Sequence, residues 1–356
     1  VAIMPRLLKG KKGIFFTIIA VMLVAILAIA FAPEEYATFK DRLPAVKTRV
    51  DTANEYVKIL KNSYIEASAQ TSGRDAMAAL VLYVNKTGYL PDENAVSITF
   101  KEIMLNGTIN GKPVEERIDP NYPDYLLMHS RTFFHKISAI ENASRETLFI
   151  STDFKKNLTD YELVLYQSNE TGPWRIGVNI TLSYYVNASL SAWDITQTVS
   201  TTFPAEGILD PVQLVSGANN ISLVVRTNST VWDISNFSKL IEDQKYKYDA
   251  SAPSFLMRLY GNLSTGSGSV CCGIESPINP NKIGIDINKC TRKSYIDWCF
   301  YSANCAPEAA GKIWNITGIT TYTAGQKFYG FKLDTSHAAA YNITSSTTGE
   351  MGIVTC

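Results

Sequence analysis

The chain has 356 residues, with 33 basic and 33 acidic side chains, so its net charge is zero. That balance points neither to nucleic acid nor to a strongly acidic partner. The length is enough for two domains, and only 19% of residues are charged, while Ser, Thr, Asn and Tyr are plentiful.

The N-terminus reads as a basic leader, residues 1–13, that carries Arg6, Lys9, Lys11 and Lys12. From Ile14 to Ala32 the only polar residue is Thr17. As a helix this run is about 28 Å long, close to the ~30 Å hydrocarbon core of a bilayer and too long for an ordinary secretory signal. The expected partner of residues 14–32 is therefore the lipid bilayer. The basic leader stays cytoplasmic, and everything after Glu34 is extracellular, on a single-pass protein of the cell membrane.

Residues 33–87 read as a helical stalk. Tyr36, Phe39, Leu43, Val46, Val50, Ala53, Val57, Leu60, Tyr64 and Ala67 recur in steps of three and four, the spacing of a coiled-coil seam. Pro44 predicts a break near Leu43. The seam faces either copies of this chain or the chain's own β-domain. A second helix is expected in "RDAMAALVLYVNKTG".

Residues 88–235 read as a β-rich domain, an antiparallel sheet or sandwich. The strands expected there are "VSITF", "TLFISTDF", "DYELVLYQ", "WRIGVNITLSYYV", "AWDITQTVSTTF", "VQLVSG" and "NISLVVR". The clearest alternates Trp174, Ile176, Val178, Ile180, Leu182, Tyr184 and Val186 on one face with Arg175, Gly177, Asn179, Thr181, Ser183, Tyr185 and Asn187 on the other. One helix, "DYLLMHSRTFFHKISAI", interrupts the strands. In residues 236–356, "ISNFSKLIEDQKY" and "APSFLMRLYGNL" read as helices, "STGSGS" as a linker, and "YIDWCF" as a buried strand in a cysteine-rich, loop-rich domain. The expected fold class is thus α+β: a long membrane and stalk helix, a β-rich ectodomain and a disulfide-containing C-terminal region.

Asn-x-Ser/Thr occurs thirteen times, at Asn85, Asn106, Asn142, Asn157, Asn169, Asn179, Asn187, Asn220, Asn228, Asn236, Asn262, Asn315 and Asn342. Roughly 4 are expected by chance, so the excess points to N-linked glycans. Cys271, Cys272, Cys290, Cys299, Cys305 and Cys356 are even in number and fit disulfides formed outside the cell. Their pairing stays open, with adjacent Cys271 and Cys272 expected to bond to different partners. A zinc site is disfavoured because there is no CxxC knuckle and no nearby His.

No catalytic constellation emerges, and no catalytic, cofactor-binding or metal-ligating residue is assigned. His129 and His135 lie six apart on the expected helix without an HExxH pattern, and His337 stands alone. No nucleophile elbow or phosphate loop is present. Asp297 beside Trp298 has a simpler reading as buried structure than as a sugar site.

"KGKKG" followed by "IFFTIIAVMLVAILAIA" resembles the class III signal of archaeal type IV pilin-like proteins. The resemblance implies cleavage between Gly13 and Ile14, after Lys12, with the apolar helix retained to bundle with copies of itself into a filament core. Ile18 stands where many bacterial pilins carry an acid, which argues against a bacterial pilin and leaves the archaeal kind open. "FPAEGILDPVQLV" and "PSFLMRLYGNL…GIESPINP" resemble segments of large exported archaeal proteins. Together these imply a membrane-anchored cell-surface glycoprotein, a pilin-like structural subunit and not an enzyme. The alternatives are a monomeric adhesin or ligand-binding receptor and, behind it, an extracellular hydrolase.

Overall fold

The computed structural model describes Met22 and residues 34–114, 128–216, 223–264, 271–279, 294–302, 312–314, 320–323, 326–329 and 331–343. Two compact units divide it: the chain up to Lys58 with Ala188–Ser191, and Ile59–Asn187 with Ala192 onward.

The first unit holds helix α1, Glu34–Ile59, which continues through Pro44 without the expected break. One proline removes one hydrogen bond, and a helix with intact turns on both sides can absorb that loss. The sequence led us to expect a membrane-crossing helix, and this is corrected: no helix among the described residues is long and apolar enough to cross a membrane. α1 has the length but carries Lys40, Asp41, Arg42, Lys47, Arg49, Asp51, Glu55 and Lys58, each costly in hydrocarbon. The fold class is α+β with antiparallel sheets. Residues 14–32, on which the expectation rested, lie outside the described residues apart from Met22, as do Gly13 and Ile14.

The second unit opens with a π-helical turn, Leu60–Tyr64, and helix α2, Ile65–Thr87. Helix α3, Glu93–Asn106, follows. It contains "VSITF", expected as a strand. Asp92 caps it by accepting from Ala95 N, and Gly107 ends it in the left-handed conformation. A small hairpin, β1 (Thr108–Ile109) and β2 (Lys112–Pro113), precedes α4, Phe133–Ala143.

The main sheet holds β3 (Ser151–Phe154), β4 (Glu162–Tyr166), β5 (Arg175–Asn187) and β6 (Ala192–Pro204), all antiparallel. β6 pairs with β5 over its whole length, so β3 and β4 lie end to end along the other edge of β5. The alternation read from the sequence holds in β5 except at Gly177, which is buried against the Tyr166 ring: Ile176, Val178, Ile180, Leu182, Tyr184 and Val186 are all buried. Full burial of such side chains stabilises by roughly 1.5–3 kcal/mol each. α2, α3 and α4 contact the sheet, and Phe100 of α3 stacks on Phe203 of β6 at 6.2 Å between ring centroids. The other face is a hydroxyl ladder. Thr181 pairs with Thr198 at 2.8 Å and Ser183 with Thr196 at 2.7 Å.

Helix α5, Pro211–Val215, replaces the strand expected in "VQLVSG", with Asp210 as cap and proline at its start. Helix α6, Ile234–Asp243, and strand β7, Lys247–Tyr248, precede α7, Phe255–Leu259, and β8, Ile274–Glu275, which pairs with β7. Helix α8, Asp297–Tyr301, takes the place of the strand expected in "YIDWCF". Strands β9 (Lys312–Trp314), β10 (Thr320–Thr323), β11 (Gln326–Tyr329) and β12 (Phe331–Leu333) pair as β9 with β12 and β10 with β11. Helix α9, Thr335–Ala340, is the last element described.

Candidate functional site

The asparagines of the Asn-x-Ser/Thr tripeptides are placed by the elements that carry them. Asn85, Asn106, Asn142, Asn157, Asn169, Asn187, Asn228 and Asn342 are exposed, Asn179, Asn236 and Asn262 are half-buried, and Asn220 and Asn315 lie outside the described residues. None of the eleven described is buried. Asn179 and Asn187 stand on the open face of the sheet, as the alternation of β5 requires. Asn106 ends α3, and its amide donates to Thr108 Oγ1 at 3.3 Å. That hydroxyl donates to Glu102 at 2.7 Å. Burial raises the proton affinity of Glu102, but bonds from Gly111 N, Thr108 and Asn110 N outweigh it, and the net shift is downward.

Cys271 and Cys272 are bonded to each other, not to separate partners as expected. Cys299 is also disulfide-bonded, and no described cysteine is free. Cys290, Cys305 and Cys356 lie outside the described residues.

What sequence reading missed is a buried ionic network that joins residues from Asp210 to Tyr341. Glu275 of β8 is wholly buried and receives four donors. Tyr341 Oη donates at 2.8 Å, Trp298 Nε1 at 3.2 Å, His337 Nε2 at 3.2 Å and Lys247 Nζ at 3.3 Å. His337, expected to stand alone, lies between two carboxylates. Its Nδ1 is 2.5 Å from Asp334 Oδ2. Both ring nitrogens thus face acceptors, which fits an imidazolium. Burial lowers the proton affinity of His337, but the bonds to Asp334 and Glu275 outweigh it and hold its pKa up to about 10. Burial likewise raises Glu275, and the bond from His337, its charge and that of Lys247 push it down to about 2. Asp334 caps α9 through His337 N. It also shifts downward, because the bond from His337 overcomes the burial. Lys247 also reaches Asp249 Oδ2 at 3.4 Å, so two cations stand among three acids in this half.

The other half centres on Arg258 of α7, whose side chain is fully buried. Its Nη1 donates to Asp210 Oδ2 at 2.8 Å and to Asp297 Oδ2 at 2.7 Å, and Nη2 donates to Ile274 O. Tyr246 Oη donates to Asp210 Oδ2 at 2.7 Å and accepts from Gln213 Nε2 at 3.0 Å. One guanidinium between two carboxylates leaves this half with one more acid than cation. Burial, partly offset by Arg258 and reinforced by Asp210, raises Asp297 to about 6. The two halves meet at α8. Trp298 N donates to Asp297 at 2.8 Å, while its indole reaches Glu275.

This network is built to hold segments together. Cys299, Asp334 and His337 place ligand-type atoms within 4.8 Å of one another. Cys299 is already bonded to sulfur, and both His337 nitrogens hold carboxylates, so the group offers no free set of ligands for an ion. Glu275 and His337 are each hydrogen-bonded to protein groups. No protein-family model, curated protein or solved structure matches the chain.

Proposed function

We propose that the protein is an exported, N-glycosylated cell-surface protein with a structural role, not an enzyme. The observation that carries this reading is the placement of the acceptor asparagines: thirteen in the sequence, and none buried among the eleven described. The disulfide state of the described cysteines supports an oxidising setting. The residues around Gly13 and Ile14 support a pilin-like subunit within that role. A monomeric adhesin needs a face clear of sugar. Asn179 and Asn187 stand on the open face of the sheet, while Asn85, Asn106 and Asn142 lie on the helices of the same unit. That spread favours the structural reading.

Labelling intact cells with a membrane-impermeant amine reagent tests the location. Exposed lysines such as Lys155 and Lys239 should react without lysis. Labelling that requires broken cells would refute it.

A further inference from the structure

The tripeptides that carry the acceptor asparagines differ in how the fold holds them. A transferase must reach both the asparagine amide and the hydroxyl two residues on. At Asn142 that hydroxyl belongs to Ser144, which is buried and donates to Glu141 O and Ile150 O, each at 3.1 Å. At Asn179 the tripeptide sits in the middle of β5, paired on one side with Val164 and on the other with Ser200. Its hydroxyl, Thr181, is engaged with Thr198 at 2.8 Å. At Asn236 the amide itself donates to Val231 O at 3.0 Å, and the middle residue, Phe237, is buried in the core. None of these three can be read unless its helix or strand comes apart. By contrast, Asn157, Thr159, Asn228 and Thr230 are all exposed. Residues 227–231 lie outside any helix or strand, and Asn157 only precedes a single turn, Leu158–Asp160.

We infer that the acceptor sites fall into two classes by timing. Asn142, Asn179 and Asn236 accept sugar only before the fold closes, whereas Asn157 and Asn228 also accept it on the folded chain. This rests on the reading of the protein as an exported glycoprotein and adds an order of events to it: the transferase meets an unfolded chain as it emerges, and folding then seals three of its products in place. Sugar found on Asn142 or Asn179 of the native protein is, on this account, a record of modification ahead of folding. The remaining N–H of a glycosylated Asn236 still suffices for its bond to Val231 O, so the modified chain can close over that site.

The test uses the full chain made without sugar, folded and oxidised, and peptides cut from the same chain. Each is incubated with an oligosaccharyltransferase and a lipid-linked oligosaccharide, and each site is read by mass spectrometry. Occupancy at Asn157 and Asn228 should agree within about twofold between chain and peptides, while Asn142, Asn179 and Asn236 should fall by at least about tenfold in the folded chain. Equal modification of Asn142 and Asn179 in chain and peptides would overturn the two classes and leave the glycoprotein reading intact. Failure of every peptide to accept sugar would overturn both.

Discussion

Arg258 shows what a single residue does in this protein. It sits between Asp210 and Asp297, fully buried with both of them. Removing one partner of such a set strands the others, which costs about 3–5 kcal/mol, although replacing the whole set with apolar groups can be neutral. Arg258→Met should therefore lower the unfolding free energy by about 3–5 kcal/mol, and adding Asp297→Asn should restore part of the loss, as read from urea unfolding. An Arg258→Met protein as stable as the parent would show that the network does not hold the fold. His337 makes a second prediction. Its pKa is raised from 6.5 to about 10 in the folded chain, so its contribution is complete below about pH 6.5 and is lost as pH rises through about 10. Glu275, lowered from 4.5 to about 2, contributes fully above about pH 4.5 and loses its share as pH falls through about 2. Unfolding midpoints should decline on the alkaline side, and His337→Gln should be less stable near neutrality with a shallower alkaline decline. Identical slopes in the two proteins would remove His337 from the account.

At the level of elements, Gly73 lies inside α2, where glycine costs a helix about 1 kcal/mol relative to alanine. A Cβ there would lie 2.8 Å from Cε1 of Phe203, whose ring is wholly buried. Gly73→Ala should therefore destabilise by about 1–3 kcal/mol less the helix gain, and Phe203→Leu should lessen the cost in the double variant. Thermal melting of the four proteins decides it, and a plain stabilisation by alanine would mean that helix and sheet are not in contact there. The elements also show which signals are legible. β5 was readable because six alternate residues are buried along thirteen, a long period-2 record. "VSITF" misled because Val96, Ile98 and Phe100 alternate over a short window. The longer pattern of Val96, Phe100 and Ile103, with Ile98 58% exposed, is helical. Asp92 and Gly107 were the available start and stop signals, and Asp210 with Pro211 marked the start of α5 in the same way.

For the whole molecule, the sequence carried the α+β class and the positions of the Asn-x-Ser/Thr tripeptides, because both are written in local patterns. The ionic network could not be read, since Asp210, Lys247, Arg258, Glu275, Asp297, Asp334 and His337 meet only through tertiary folding and share no spacing rule. Their hydrogen bonds tie α5, α7, β8, α8 and α9 to one another. In a chain whose described cysteines include one bond between neighbours, which closes almost no loop, this network holds together segments that the Cys271–Cys272 bond cannot. The central claim, that this chain is completed outside the cytoplasm, is tested most directly by mass spectrometry of the protein isolated from its own cells. Sugar mass on exposed acceptors such as Asn157 and Asn228, with no free thiol, is the predicted result. Bare asparagines at every acceptor site together with reduced cysteines would contradict it.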